Sequence, residues 1–368
     1  MRTKKKLSLI LIVAISILFS ACMGNRTEID DNSMIMQRSF SPVTTTNTIA
    51  VLNHHMLYQT MDMGSSSFYI FDLLKNTTTR IATISNYVMD SGSTVIIGDT
   101  VYFYITESNA EDQLQNVLYC INCSDLSMKR LYEDGACAPL ISLYQSPFGI
   151  LALKATDSNT YFDLYNESMQ IPTVVLEAPQ GETFVTAAVS NNILFVFAFS
   201  GNSDEGYSYF IRKYTLDGYE PIGIIMLENI QQYISQARIA EMAILGDYLF
   251  LNNYSNMGLI SSINKDGTVS TLHEMPDIAI LDSETENETT IFYVRQTNKY
   301  YVFNTVSGDL QQSELIMDGE YLIRSMFADS DRVVVKTKPN YESKSDGYSE
   351  EIYVYEYSNL TSSSNTLD

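Results

Sequence analysis

The feature that most constrains this chain is a pattern that keeps returning. A strand-like apolar run is followed by a loop, then by a second run that ends at or near Asp or Asn. The seven pairs cover residues 55–59 and 68–72, 100–104 and 117–122, 149–153 and 161–166, 193–197 and 210–214, 248–251 and 259–264, 290–294 and 300–304, and 332–336 and 352–357. Each run is too short for a typical helix and rich in Val, Ile, Tyr and Phe, the residues that suit strands. The landmarks Asp72, Asn122, Asn166, Asp217, Asn264, Asn304 and Tyr357 recur at intervals of roughly 40 to 50 residues, as the blades of a propeller do. Several runs, such as 193–197, are continuously apolar, as strands covered on both faces must be. Gly98-Asp99, Asn191-Asn192, Gly246-Asp247 and Asp266-Gly267 supply hairpin turns. The expected fold is an all-β β-propeller of seven blades over residues 47–357, with six or eight blades fitting the same spacing. Two stacked β-sandwiches also contain many short strands, but the single persistent period argues against them.

One stretch breaks the period. Between 228 and 245, Ile230, Tyr233 and Ile234 have helical spacing, which predicts an inserted helical turn or a loop before a strand at 241–245.

The chain begins with Arg2, Lys4, Lys5 and Lys6, followed by an apolar stretch from 7 to 19 and the small residues Ser20 and Ala21. This is the order of a secretory signal peptide. Thirteen helical residues span only about 20 Å, short of a bilayer core. The segment Leu18-Phe19-Ser20-Ala21-Cys22 resembles the bacterial lipobox, with Phe19 where an aliphatic residue is usual. That resemblance implies cleavage before Cys22 and a diacylglycerol on its sulfur, and two acyl chains anchor stably. The expected organisation is a signal peptide over 1–21, a lipidated cysteine and polar tether over 22–46, the propeller over 47–357, and a polar tail over 358–368. The expected place is the outer face of a bacterial cell membrane.

Composition narrows the partners. With 22 basic against 44 acidic residues the formal net charge is −22, which repels nucleic acid and anionic headgroups. The chain has no Trp and 26 Tyr; Tyr rings suit strands with one apolar side and one wet edge.

Asp99-Thr100-Val101-Tyr102-Phe103 with Leu118-Tyr119-Cys120-Ile121-Asn122, and Asp247-Tyr248-Leu249-Phe250 with Ile260-Ser261-Ser262-Ile263-Asn264, are the best-matched units. Behind a lipobox and a polar tether, they resemble the uncharacterised propeller lipoproteins of Gram-positive bacteria. Their repeats are similar to the low-density-lipoprotein-receptor-like and quinoprotein-like propellers. The resemblance implies fold. It does not carry over quinone-dependent activity, whose blade motifs are rich in Trp.

Motifs for catalysis are scarce. The sequence has no G-x-S-x-G, no H-E-x-x-H, no P-loop and no G-x-G-x-x-G. Cys120-Ile121-Asn122-Cys123 has redox spacing, but it sits on a strand pattern rather than at a helix N-terminus. With Cys137 the count after Cys22 is odd, so a disulfide among the three leaves one thiol over. Adjacent His54 and His55 point to opposite faces of a strand and read as rim residues, and His273 has no identifiable partner. The acids from Asp282 to Glu288 read as a solvated loop. No metal and no cofactor is expected. Three polar excursions within the repeats, 106–116, 201–207 and 339–350, read as loops gathered on one face. Their Tyr207, Tyr209, Tyr341 and Tyr348 are the candidate contacts for a partner. The reading is a binding or scaffolding lipoprotein for an envelope protein, peptide or glycan. The alternative is an extracellular hydrolase or lyase whose axial carboxylates act on a polysaccharide or peptide.

Overall fold

The computed structural model describes residues 34–362 apart from 41–45, 63–64, 86–87, 109–110, 112, 134–139, 157, 167–170, 203–205, 235–238, 254–256, 277, 282–287, 316, 318–320, 329–331 and 340–349. Its strands form seven four-stranded antiparallel sheets, the blades of a β-propeller. The first strand, β1 (Met34–Phe40), belongs to the last blade. Blade I holds β2 (Thr46–Leu52), β3 (His55–Asp62), β4 (Ser65–Asp72) and β5 (Thr77–Ile84). Blade II holds β6 (Val88–Ile97), β7 (Thr100–Ser108), β8 (Leu114–Asn122) and β9 (Ser127–Glu133). Blade III holds β10 (Leu140–Ser146), β11 (Gly149–Ala155), β12 (Thr160–Tyr165) and β13 (Thr173–Glu177). Blade IV holds β14 (Glu182–Ser190), β15 (Ile193–Asn202), β16 (Gly206–Thr215) and β17 (Pro221–Met226). Blade V holds β18 (Ile239–Leu245), β19 (Tyr248–Asn253), β20 (Met257–Ile263) and β21 (Val269–Pro276). Blade VI holds β22 (Ile278–Ile280), β23 (Thr289–Val294), β24 (Lys299–Asn304) and β25 (Leu310–Glu314). Blade VII runs β26 (Tyr321–Ala328), β27 (Arg332–Pro339), β28 (Glu350–Glu356) and then β1.

The two runs of each sequence pair are the middle strands of a blade. Their alternation explains the continuous apolar character. On β7, Val101, Phe103 and Ile105 face the seam with blade I, while Tyr102 and Tyr104 face the seam with blade III. Among the described residues the buried side chains divide into seven clusters, one at each seam. There is no single core; the ring is held by seven interfaces, each buried by hydrophobic area. The first strands of neighbouring blades touch one another around the axis, β2 with β6 and β26, and β14 with β10 and β18. Fourth strands such as β5 form the half-exposed rim.

Bulges recur on the first strands, with register shifts between Thr48 and Ala50, Phe184 and Thr186, and Ile239 and Glu241. A bulge bends its strand and frees ladder groups. Side chains of adjacent blades take up some of them: Thr94 Oγ1 donates to Ile49 O at 3.4 Å, and Ala187 N donates to Tyr144 Oη at 2.9 Å. The landmark Asp and Asn residues open the turns to the fourth strands. Asn122 Oδ1 accepts from the N–H groups of Ser124 and Asp125, and Asn304 Oδ1 from those of Val306 and Ser307.

The structure corrects three boundaries. The expected tether reaches to residue 46, but Met34–Phe40 pairs antiparallel with β28, from Met34 opposite Tyr355 to Phe40 opposite Glu350. The ring therefore takes a strand from the segment that reads as linker, because an edge strand on the rim needs backbone partners more than an apolar pattern. The expected tail begins at 358, but a short helix, α1 (Tyr357–Ser362), follows β28 and buries Leu360 in the seam between blades VI and VII. Tyr300 Oη donates to Leu360 O at 3.2 Å and fixes it there. The third correction concerns the excursions at 106–116 and 201–207. Both are hairpin extensions, with Ser108 paired to Leu114 and Gly201 to Tyr207. At Gly201 a Cβ would stand 2.1 Å from Gly206 O, so only glycine lets the two paired strands approach so closely there. The break at 228–245 is a 3-10 turn, Glu228–Tyr233, ahead of β18.

Candidate functional site

The site is built at the rim of the seam between blades I and II. Asn53 and His54 form a two-residue turn, both at positive φ, of 48° and 66°. The turn sets Leu52 opposite His55, and the next hairpin sets His55 opposite Asp72. His55 shares a face with Leu57, and Asp72 shares one with Phe68 and Ile70, all toward blade II. The apolar row of this seam thus ends in a histidine and a carboxylate.

His55 Nε2 stands 3.8 Å from Asp72 Oδ2. Asp72 Oδ1 accepts from the N–H groups of Leu74 and Lys75 at 3.0 and 2.9 Å, and Oδ2 accepts from Lys75 Nζ at 2.8 Å. Burial pushes the Asp72 carboxyl up, but the Lys75 and Leu74 donors outweigh it and hold the group below the usual carboxylate range. Across the seam, Asp99 accepts from Asn53 Nδ2 and from Ser124 Oγ, each at 2.6 Å. Asp72 and the two donors to Asp99, Asn53 and Ser124, line a cavity of about 400 Å³, within the usual range for small-ligand sites. Thr77 and Thr79 of the rim strand line one side, and Ile70 and Leu126 supply apolar surface. His55 Nδ1 also faces inward into protein, buried and without a hydrogen-bond partner.

The cysteine pair does not come together as a redox motif. Cys120 packs in the seam between blades II and III, and Cys123 in that between blades I and II. Burial, with Asp99 adding, pushes the Cys123 thiol up to about 11, so it stays protonated at neutral pH. Cys137 lies outside the described residues, as do Cys22, Tyr341, Tyr348 and Asp282–Asn287.

No protein-family model matches this chain, and no curated protein matches it either. Solved structures do. The chain is similar to the β-propeller domain of the Trilobed protease from Pyrococcus furiosus, with TM-score 0.54 and 12% identity over 85% of this chain and 95% of that one. It is also similar to the Cps50 (Swd1) β-propeller domain of Myceliophteria thermophila, with TM-score 0.52 and 11% identity over 88% of this chain and 99% of that one. BamB from Moraxella catarrhalis aligns with TM-score 0.48 and 11% identity over 84% and 83%. At such identities the first two likenesses show the propeller fold and nothing finer. The Pyrococcus domain is described as having an open velcro topology; here β1 completes the last blade against β28.

The other candidates are spread around the ring. Tyr209 is only 5% exposed and stacks on Phe197 in the seam between blades IV and V, so its ring is packing material rather than a contact surface. Tyr207, half-buried, meets Phe199 edge-on in the same hairpin. His54 lies at the closing seam against the Arg332 guanidinium. His273 Nε2 is 3.0 Å from Gly308 O. The carboxylate that stands out near the axis is Glu241, at the β18 bulge. Burial pushes its carboxyl up to about 7, against the Asn252 side chain, the Ile280 N–H and Arg295, which lower it. Asn252 Nδ2 in turn donates to Ile278 O at 2.7 Å, joining blades V and VI.

Sequence reasoning treats Asp72 as a landmark and His55 as a rim residue, and misses that they face each other. The signal is present in the two short hairpin turns, which fix the register. What blade II adds across the seam has no local signal.

Proposed function

We propose that this chain is a binding module held at the outer face of a bacterial cell membrane by a lipid on Cys22, and that it takes a ligand of the envelope in the cleft between blades I and II. The observation that carries the binding role is that cleft, where fixed polar groups of two blades converge beside an apolar strip. The lipobox-like segment carries the anchor. Residues 23–33 reach at most about 40 Å when fully extended, so a ring that begins at Met34 is kept close to the bilayer. The ligand class is an envelope protein, a peptide or a glycan. The test is metabolic labelling with a fatty-acid analogue and detergent partitioning, followed by co-purification from the native envelope. The expected result is labelling that Cys22→Ser abolishes, and a saturable partner that substitution of Asp72 and Asp99 releases. An unlabelled wild type removes the anchor, and a partner indifferent to the cleft removes the site.

A second reading, an extracellular hydrolase or lyase, draws on Glu241. A carboxyl pushed up to about 7 has the proton affinity of a general acid at neutral pH. Turnover on a polysaccharide or peptide panel that Glu241→Gln abolishes supports this reading. Silence across the panel counts against it.

A further inference from the structure

We infer that the cleft between blades I and II is a site for a neutral, hydroxyl-rich ligand, a saccharide unit rather than an ion or a charged peptide. The inference rests on the binding reading above and names the chemistry of its site.

The argument starts from what the cleft has already satisfied. Both carboxylates are occupied by the chain's own donors: Asp72 by Leu74, Lys75 and the Lys75 ammonium, and Asp99 by Asn53 and Ser124. Neither calls for a cation, and among the described residues no group of three or more His, Cys, Asp or Glu side chains is placed to hold a metal ion. The charged groups that line the cleft, Asp72 and Lys75, are already paired with each other, so an ion of either sign meets a like charge there. A charged ligand of either sign is therefore disfavoured.

What is left over is a mixed set. Thr77 and Thr79 are exposed, two residues apart on one face of β5, and each hydroxyl both donates and accepts. The Lys75 side chain is 77% exposed, and its ammonium keeps donors beyond its bond to Asp72. A hydroxyl group is the ligand group that can serve donor and acceptor partners alike. Ile70 and Leu126 then meet the C–H surface of a sugar ring. The volume of about 400 Å³ suits one or two such rings.

The test uses the full-length lipidated protein in detergent micelles and saturation-transfer NMR. The probes are cellobiose, maltose and chitobiose, with glucose 6-phosphate as the anionic and lysinamide as the cationic comparison. The expected result is transfer to at least one neutral disaccharide, stronger than to either charged probe. Affinity should fall about tenfold in Thr77→Val/Thr79→Val, the loss of one or two hydrogen bonds. Thermal melts check that the double variant folds, as expected for two positions on an exposed strand. Silence from all three disaccharides, a charged probe that binds better, or signals unchanged in the double variant overturns the inference. Co-purification separates the two levels. A partner that the cleft variants release, with no saccharide bound, overturns the ligand class alone. A partner that the variants retain overturns the site as well.

Discussion

The seam between blades I and II and the seam between blades V and VI are made by the same strands in the same order, yet one opens into a cleft and the other is shut. At the shut seam Phe250 and Phe292 lie with ring centroids 4.7 Å apart. Gly258 sits so close to Ile278 that a Cβ would stand 2.4 Å from its side chain. Asn252 crosses the seam to a backbone carbonyl, and the half-buried Glu241 stands beside it. At the open seam Phe68 and Phe103 are 5.7 Å apart, and the outer end sets the short side chains of Thr77, Thr79 and Ser124 among longer ones such as Lys75 and Leu126. The ring needs each seam packed near its middle. Small polar groups at one outer end leave room there without opening the interface behind it, and this is where a propeller can hold a ligand without losing closure.

The comparison can be broken most forcefully at the shut seam. Phe250→Ala should cost about 3–5 kcal/mol in denaturant unfolding, the penalty for a fully buried ring. A loss under about 1 kcal/mol would mean the seam collapses around the gap. Gly258→Ala should cost about 1–3 kcal/mol by overpacking against Ile278, although the position is not at positive φ. Glu241 gives the same seam a pH signature. Its folded carboxyl titrates near 7 against an ordinary value of 4.5, so folding favours its protonated form. Its contribution is fully present below about 4.5 and is lost as pH rises through about 7. Glu241→Gln should therefore flatten the fall in melting temperature between those limits. The smallest effect belongs to the open seam. Lys75→Ala removes an exposed ion pair with Asp72 and should change stability by about 0–1 kcal/mol, read from the same denaturant titration.

Much of this ring is legible in the sequence. Phe195 and Val196 are both fully or nearly buried because successive side chains enter different seams, and that is why the run 193–197 is apolar without alternation. The landmark residues were legible because an Asx turn needs a short side-chain oxygen at one place. The first and fourth strands were not. Thr77–Ile84 is half exposed and Ile278–Ile280 is three residues long, so neither carries a hydrophobic period. Tyr209 was misread for a related reason: inside a long polar excursion, a tyrosine reads as a surface residue until the hairpin's register turns it into the seam. The cleft combines two registers with a contact between blades, and only the registers are local.

The strand Met34–Phe40 also dictates an order of events. Its partner, Glu350–Glu356, lies almost at the other end of the chain. Pairing so distant in sequence is slow to find and cannot form while the chain is incomplete. A chain stopped before β28 could stack six blades and still leave its first strand unpaired, an open edge prone to join another chain. Ring closure therefore waits on residues 350–356, so a strand made early is satisfied only by one made some three hundred residues later.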